Sequence, residues 1–269
     1  HAEASLSTRQ LISLARLEAD LRLEEKGFNE AEELLIQGMA PYLDERLALN
    51  NLIDFYYRNS QLESIPPLLD GWLSRHANDL NALFDKGKIL IELERFEEAT
   101  KVYQAILEND SDNKAAKSQS AYIYASQGEH DQALEIVNQI LADNPEDFGS
   151  LFQQATILME AGRLDQAIET FTLILDQTPT NVSALANRGA IHLQKEQFAL
   201  AREDFEELKA LLAGDRLPHY RLAQVAEKEG DHKAELKHYK NYLKLAASAS
   251  TNEVEAVRAR VKELEAQAN

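Results

Sequence analysis

Four alanines in this chain stand 34 residues apart: Ala99, Ala133, Ala167 and Ala201. Twelve residues before each lies a second small residue, Gly87, Ala121, Ala155 or Gly189. Four residues after each lies a large apolar one, Tyr103, Val137, Phe171 or Phe205. A period of this length argues against one globular core, because each repeat is a supersecondary unit that buries its apolar face only against its neighbours. The small sites imply paired helices, since two axes approach closely only where the crossing residues lack bulk. Gly87, Ala121, Ala155, Gly189 and Ala223 fill that site on the first helix, and the four alanines fill it on the second. Gly128, Gly162 and Gly230 share a turn site between the helices, where glycine takes the left-handed conformation. Pro145 and Pro179 share the site that closes one hairpin and opens the next.

Extended without insertions, the register gives seven units: 12–45, 46–79, 80–113, 114–147, 148–181, 182–215 and 216–249. Unit 148–181 reads Leu151, Ala155, Leu158, Gly162, Leu164, Ala167, Phe171, Ile174, Pro179. That pattern resembles the tetratricopeptide repeat, over residues 12 to 249 and most strongly from residue 80 onward. The resemblance implies an all-α chain: a right-handed α-solenoid of seven helix-turn-helix hairpins over residues 1–249, then a C-terminal capping helix over 250–269. The style is that of bacterial members, envelope proteins that assist secretion or assembly among them. It places the periplasm or cell envelope ahead of the cytoplasm as the expected location.

The chain departs from the family pattern in definite places. The leucine expected before the small site of the first helix is Lys86, Ser120, Gln154 or Arg188. The late alanine of the second helix is Ile106, Ile140, Ile174 or Leu208, and Glu235 takes the alanine site of the last unit. Ile53 and Ile65 replace small residues in the second unit, and Pro66 and Pro67 fall inside its second helix. Two prolines remove backbone donors there, so the helix is expected to start late, near Pro66. At the far end, Ser250 and Glu253 are spaced as a capping box. Val254, Val257, Val261 and Leu264 follow at helical spacing, as a helix that seals the stack requires.

Composition narrows the function. No apolar run approaches the roughly 18 residues of a membrane span, so no direct membrane insertion is expected in this segment. The chain begins at His1 rather than methionine, which points to processing, a cloning boundary or a tag remnant and leaves any upstream signal or anchor unseen. With no cysteine there is no disulfide, thiolate catalysis or cysteine zinc site. A net charge of −18 argues against nucleic acid or an anionic membrane surface as partner. Glu235 and His238 have the spacing of a bundle-type metal pair, but no second copy exists. No phosphate loop, nucleophile elbow or zinc-protease helix is present. The expectation is a non-catalytic protein with no cofactor and no metal.

In tetratricopeptide proteins the first helices line the concave face. Two residues before their small site stand Asn51, Asp85, Gln119, Gln153, Asn187 and Arg221, all polar and able to bond a peptide backbone. One residue earlier stand Asn50, Phe84, Ser118, Phe152, Ala186 and Tyr220, and one turn further come Lys88, Tyr122 and Thr156. Aromatic anchors beside amides suit a partner with apolar side chains on an extended backbone. Phe84 and Phe152 have a second reading, as packing within the helix layer. The family's two-carboxylate clamp is matched by Asn187 and Arg221 but not by Phe152, Thr156 and Leu217, which argues against acidic C-terminal tails as ligands. The expected function is a scaffold or adaptor that binds a peptide segment or protein in this groove. Self-assembly through the divergent first repeats and substrate recruitment for a larger enzyme are the alternatives.

Overall fold

The computed structural model describes residues 6–246 and 251–267. Every regular element among them is helical. The chain forms two compact units, residues 1–123 and 124–269, and their boundary falls inside one helix.

The first unit holds α1 (Thr8–Lys26), α2 (Phe28–Met39), α3 (Arg46–Arg58), α4 (Ile65–Leu73), α5 (Leu80–Glu92), α6 (Phe96–Asn109) and most of α7 (Lys114–Ser126). Helix α1 begins a turn ahead of the 34-residue register. Ser7 caps it, its hydroxyl accepting the Gln10 N–H while the Gln10 side chain accepts the Ser7 N–H. The first two hairpins share a core that includes Ile12, Ala19, Ala31, Leu35, Phe55, Ile65 and Trp72. Gly38 lies where a Cβ would come within 2.6 Å of Ala15 Cβ, so α1 and α2 cross as closely as the small-site rule requires. The prolines act as expected. A 3₁₀ turn covers Leu62–Ser64, and α4 starts only at Ile65, leaving 9 residues where the second helices α6, α8, α10 and α12 of later hairpins have 14.

The second unit holds the end of α7, then α8 (His130–Asp143), α9 (Phe148–Glu160), α10 (Leu164–Gln177), α11 (Val182–Gln194), α12 (Phe198–Leu211), α13 (Leu217–Glu229), α14 (His232–Ala246) and α15 (Asn252–Gln267). Ala133, Ala155, Ala167 and Ala201 have no exposed surface, as close packing demands. A Cβ at Gly189 would come within 2.7 Å of Phe205 Cε1. Helix α15 packs Val254, Val257, Val261 and Leu264 on Tyr239, Tyr242 and Ala246, the sealing role expected of it. At its start the Thr251 hydroxyl accepts the Val254 N–H at 3.3 Å, and Glu253 accepts the Tyr242 hydroxyl at 2.7 Å. Ser250, the expected cap, lies outside the described residues, as does the junction at 249.

In the six hairpins after the first, the turn site between paired helices has a positive φ whatever residue occupies it, while its equivalent in the first hairpin, Lys26, ends α1 in helical conformation. Gly128, Gly162 and Gly230 have φ of 79°, 72° and 75°, and the register equivalents Ser60, Glu94 and Glu196 have 56°, 57° and 58°. An L-residue held there is strained by roughly 1 kcal/mol. Glu94→Gly and Glu196→Gly are each expected to raise stability by about 0.5–1 kcal/mol, less glycine's unfolded-state entropy, read as a higher denaturant midpoint at unchanged slope.

The polar residues at the missing leucine site have a common role. Lys86 Nζ bonds Asp70 Oδ1 of the preceding hairpin at 2.5 Å. Gln154 Nε2 donates to Asn138 Oδ1 at 2.7 Å, with Thr170 Oγ1 3.2 Å from Gln154 Oε1. Arg188 donates to Asp204 at 2.7 and 3.1 Å and to Thr172 Oγ1 at 3.0 Å. Lys86 ties two hairpins together; Gln154 and Arg188 each bridge the preceding second helix and their own. Polar bridges thus replace an apolar contact between hairpins. Ser120 is the exception, bonding back to the Ala116 carbonyl within its own helix.

Candidate functional site

In the first unit, α5 and α7 leave a groove of about 630 Å³ lined by Asn81, Phe84, Asp85, Lys88, Lys114, Ala115, Ser118 and Gln119. The helices are aimed by their caps. Asp79 accepts the Ala82 N–H at 3.1 Å and Asn113 accepts the Ala116 N–H at 3.0 Å, each on the residue just before its helix. Four of the residues expected in a binding face, Phe84, Asp85, Lys88 and Gln119, meet here. A turn beyond Ser118, Tyr122 is 50% exposed on the same helix.

The chemistry of the groove is set by what its side chains already hold. Phe84 is half-buried, its ring 5.8 Å from that of Tyr103, so one face packs in the helix layer and the remainder faces the groove. Tyr103 in turn lies where Gly87 leaves room. Its hydroxyl is buried without a partner among the described residues, and burial pushes it up to about 12. Asp85 is engaged by Arg46, which also bonds Asp79 at 3.0 Å and Asn50 at 3.0 Å. Burial opposes ionisation of Asp79, but the Ala82 N–H, the Trp72 indole and Arg46 outweigh it and hold the carboxyl below its usual range. Asn51 on α3 donates to its own helix at the Leu47 carbonyl, 2.8 Å away. Lys88 and Tyr122 are exposed and bond no described residue. They are the side chains of this face most ready to meet a ligand.

The second unit treats the remaining expected residues separately. Phe152 is wedged between Phe148 and Phe171, at ring distances of 6.2 and 5.8 Å. Thr156 donates back to the Phe152 carbonyl, and Arg221 donates to Gln224 at 3.0 Å. Tyr220 packs on Tyr239 and Tyr242. Gln153 and Asn187 are half-buried on α9 and α11. These aromatics serve the packing reading more than the groove reading. A cleft of about 770 Å³ lies instead on the face of the second helices, over Asn138, Gln154 and Thr170, with Glu135, Glu169 and Leu173 on its sides. The first-helix registers pass this cleft by. Its one signal in the sequence is Gln154, a polar residue where the family carries leucine.

Among the described residues no group of three or more His, Cys, Asp or Glu is placed to hold a metal, and no helix is long and apolar enough to cross a membrane. One titratable pair stands apart. His219 on α13 and His238 on α14 bring their Nδ1 atoms to 3.3 Å. Burial, then the charges of His219, Lys209 and Lys237, push His238 down to about 4 against the opposing pull of Glu206; burial and the two lysines lower His219 as well. The folded state therefore binds these protons more weakly than the unfolded chain. Their contribution is intact above the ordinary value near 6.5 and is lost as pH falls toward about 4. Denaturant melts at a series of pH values are expected to show a loss of stability on the order of 2 kcal/mol across that window, flattened in His238→Gln.

A family model described as tetratricopeptide repeat matches residues 90–156 and 124–191. A tetratricopeptide repeat protein from Parabacteroides merdae superimposes with a TM-score of 0.62 at 16% identity, over 95% of this chain and 99% of that one. The C-terminal part of a repeat-containing protein from Cytophaga hutchinsonii gives 0.63 at 16% identity, over 90% and 98%. MamA from Desulfovibrio magneticus gives 0.57 at 16% identity, over 64% and 97%. No curated protein matches the sequence.

Proposed function

The chain is a tetratricopeptide repeat protein, and on that premise we propose that it is a non-catalytic scaffold whose binding site is the groove between α5 and α7. One observation carries the reading: an open groove between two first helices with Phe84 and the exposed Lys88 in its lining, and the exposed Tyr122 one turn beyond Ser118 on α7. An extended segment laid there would rest apolar side chains on Phe84 and Tyr122. Its backbone would bond Gln119 and Asn81, and Lys88 would favour a carboxylate or carbonyl on it. Asp85 takes part only if Arg46 releases it.

The expected residues of the second unit, Phe152, Gln153, Thr156, Asn187, Tyr220 and Arg221, extend the proposal to its first-helix face. Gln153 and Asn187 are the polar contacts offered there, and the aromatics chiefly hold the hairpins. A photo-crosslinking residue placed at 88 or 122 is expected to capture a protein partner, while one at 135 or 169 captures none. Capture only from 135 and 169 would move the site to the cleft of the second helices.

A further inference from the structure

Each hairpin receives the one before it at seats fixed by the repeat register. The second helix of one packs on the first helix of the next, as α2 does on α3, α4 on α5 and α10 on α11. Two residues into each later unit the seat is buried, and in four of the six it is alanine, at Ala48, Ala82, Ala116 and Ala184, with Ser150 and Pro218 in the others. Seven residues further it is large and buried, at Phe55, Ile89, Ile123 and Ile191. In the first hairpin the same two sites are Leu14 and Leu21, which are 42% and 54% exposed, and Leu17 between them is 56% exposed. Spacings of three and four residues place the three leucines on one face of α1, while Ile12, Ala15 and Ala19 bury the opposite one. The first hairpin thus presents an open aliphatic seat of the kind that a helix covers in the later hairpins.

The rim of the seat says what kind of helix fits it. By helical register the charged residues nearest the stripe, besides Asp20, three after Leu17 and held by Arg16 at 2.9 Å, are Glu18, four after Leu14, with Glu24 and Glu25, three and four after Leu21. All three are exposed and none pairs with a described residue. A second copy of α1 laid antiparallel about Leu17 would set Glu18 against Glu18, so like charges disfavour self-pairing on this face. We propose that this face of α1 docks an amphipathic helix of a partner protein, aliphatic along one stripe and flanked by lysine or arginine. The site is separate from the groove between α5 and α7 and does not depend on it.

The test uses the whole chain and two synthetic amphipathic helical peptides, each with leucines at i, i+3 and i+7. One carries lysine flanks and the other glutamate flanks. By fluorescence anisotropy the lysine peptide is expected to bind, and to bind about tenfold or more weakly to the Leu17→Ser, Leu21→Ser double variant. Both positions are exposed, so helicity by circular dichroism should be unchanged in that variant. The glutamate peptide is expected not to bind. Absence of binding by the lysine peptide, or equal binding to wild type and variant, overturns the proposal. So does light scattering that shows a concentration-dependent dimer lost in Leu17→Ser, since the occupant would then be a second copy.

Discussion

Replacing Arg260 by alanine is expected to destabilise the C-terminal hairpin by about 3–5 kcal/mol, enough to consume much of the stability of an ordinary domain. Glu235 occupies the site that alanine fills in the four hairpins before it and has no exposed surface. Its carboxylate is held by Arg260 Nε at 2.7 Å and Nη2 at 3.2 Å, with His232 Nδ1 at 3.2 Å. Removing the guanidinium leaves a buried charge with only His232 beside it. The measurement is a denaturant melt monitored by a probe on α15, which should report early loss of that helix. Glu235→Ala combined with Arg260→Leu restores the ordinary small site and is expected to recover most of the loss. A double-mutant cycle with no coupling between the two positions would contradict the account.

Arg188→Ala is expected to cost about 3 kcal/mol by the same reasoning, between the fifth and sixth hairpins. Asp204 is only 3% exposed, and Arg188 is the side chain that satisfies both of its oxygens while also reaching Thr172. The paired change Arg188→Leu with Asp204→Val puts the family's usual leucine back. It should be close to neutral or stabilising, because a well-packed apolar pair avoids desolvating two charges. If Arg188→Ala alone melts like wild type, the bridge contributes nothing and the hairpins are held by apolar packing only.

These two sites mark how far the sequence can be read. The period, the small sites and the late start of α4 are legible because steric rules act locally: a crossing needs a small residue, and a proline forbids a donor. Glu235 and Arg188 stand out as departures, but their partners do not. Arg260 lies 25 residues beyond Glu235 and Asp204 lies 16 beyond Arg188, distances that only the folded hairpins close. The small-site register also leaves out a column of helix caps: Asp79, Asn113, Asp147 and Asn181 fall 34 residues apart, and each side chain accepts an N–H three residues on. That column is as regular as the alanines and marks the start of every first helix from α5 to α11.

The candidate site is less legible. Sequence alone places Phe84 and Phe152 in one register, yet neither can be assigned to groove or core until Tyr103 and Phe171 are seen against them. Along that register, Phe84, Ser118, Phe152, Ala186 and Tyr220, large residues alternate with small ones. Ser118 and Ala115 are what open the space beside Phe84. Asp85 looks free in the sequence because Arg46, its partner, belongs to the preceding hairpin.

Whether the face carrying Phe84, Lys88 and Tyr122 holds the partner is tested most directly by one affinity comparison. Lys88→Ala with Tyr122→Ala removes two exposed side chains that bond no described residue, so the melting curve should stay that of wild type. Against the partner captured by crosslinking, the double variant is expected to bind more than about tenfold more weakly, since truncating an interface anchor commonly costs about 2 kcal/mol. Equal affinity of wild type and double variant, with both folded, would contradict the groove as the binding site.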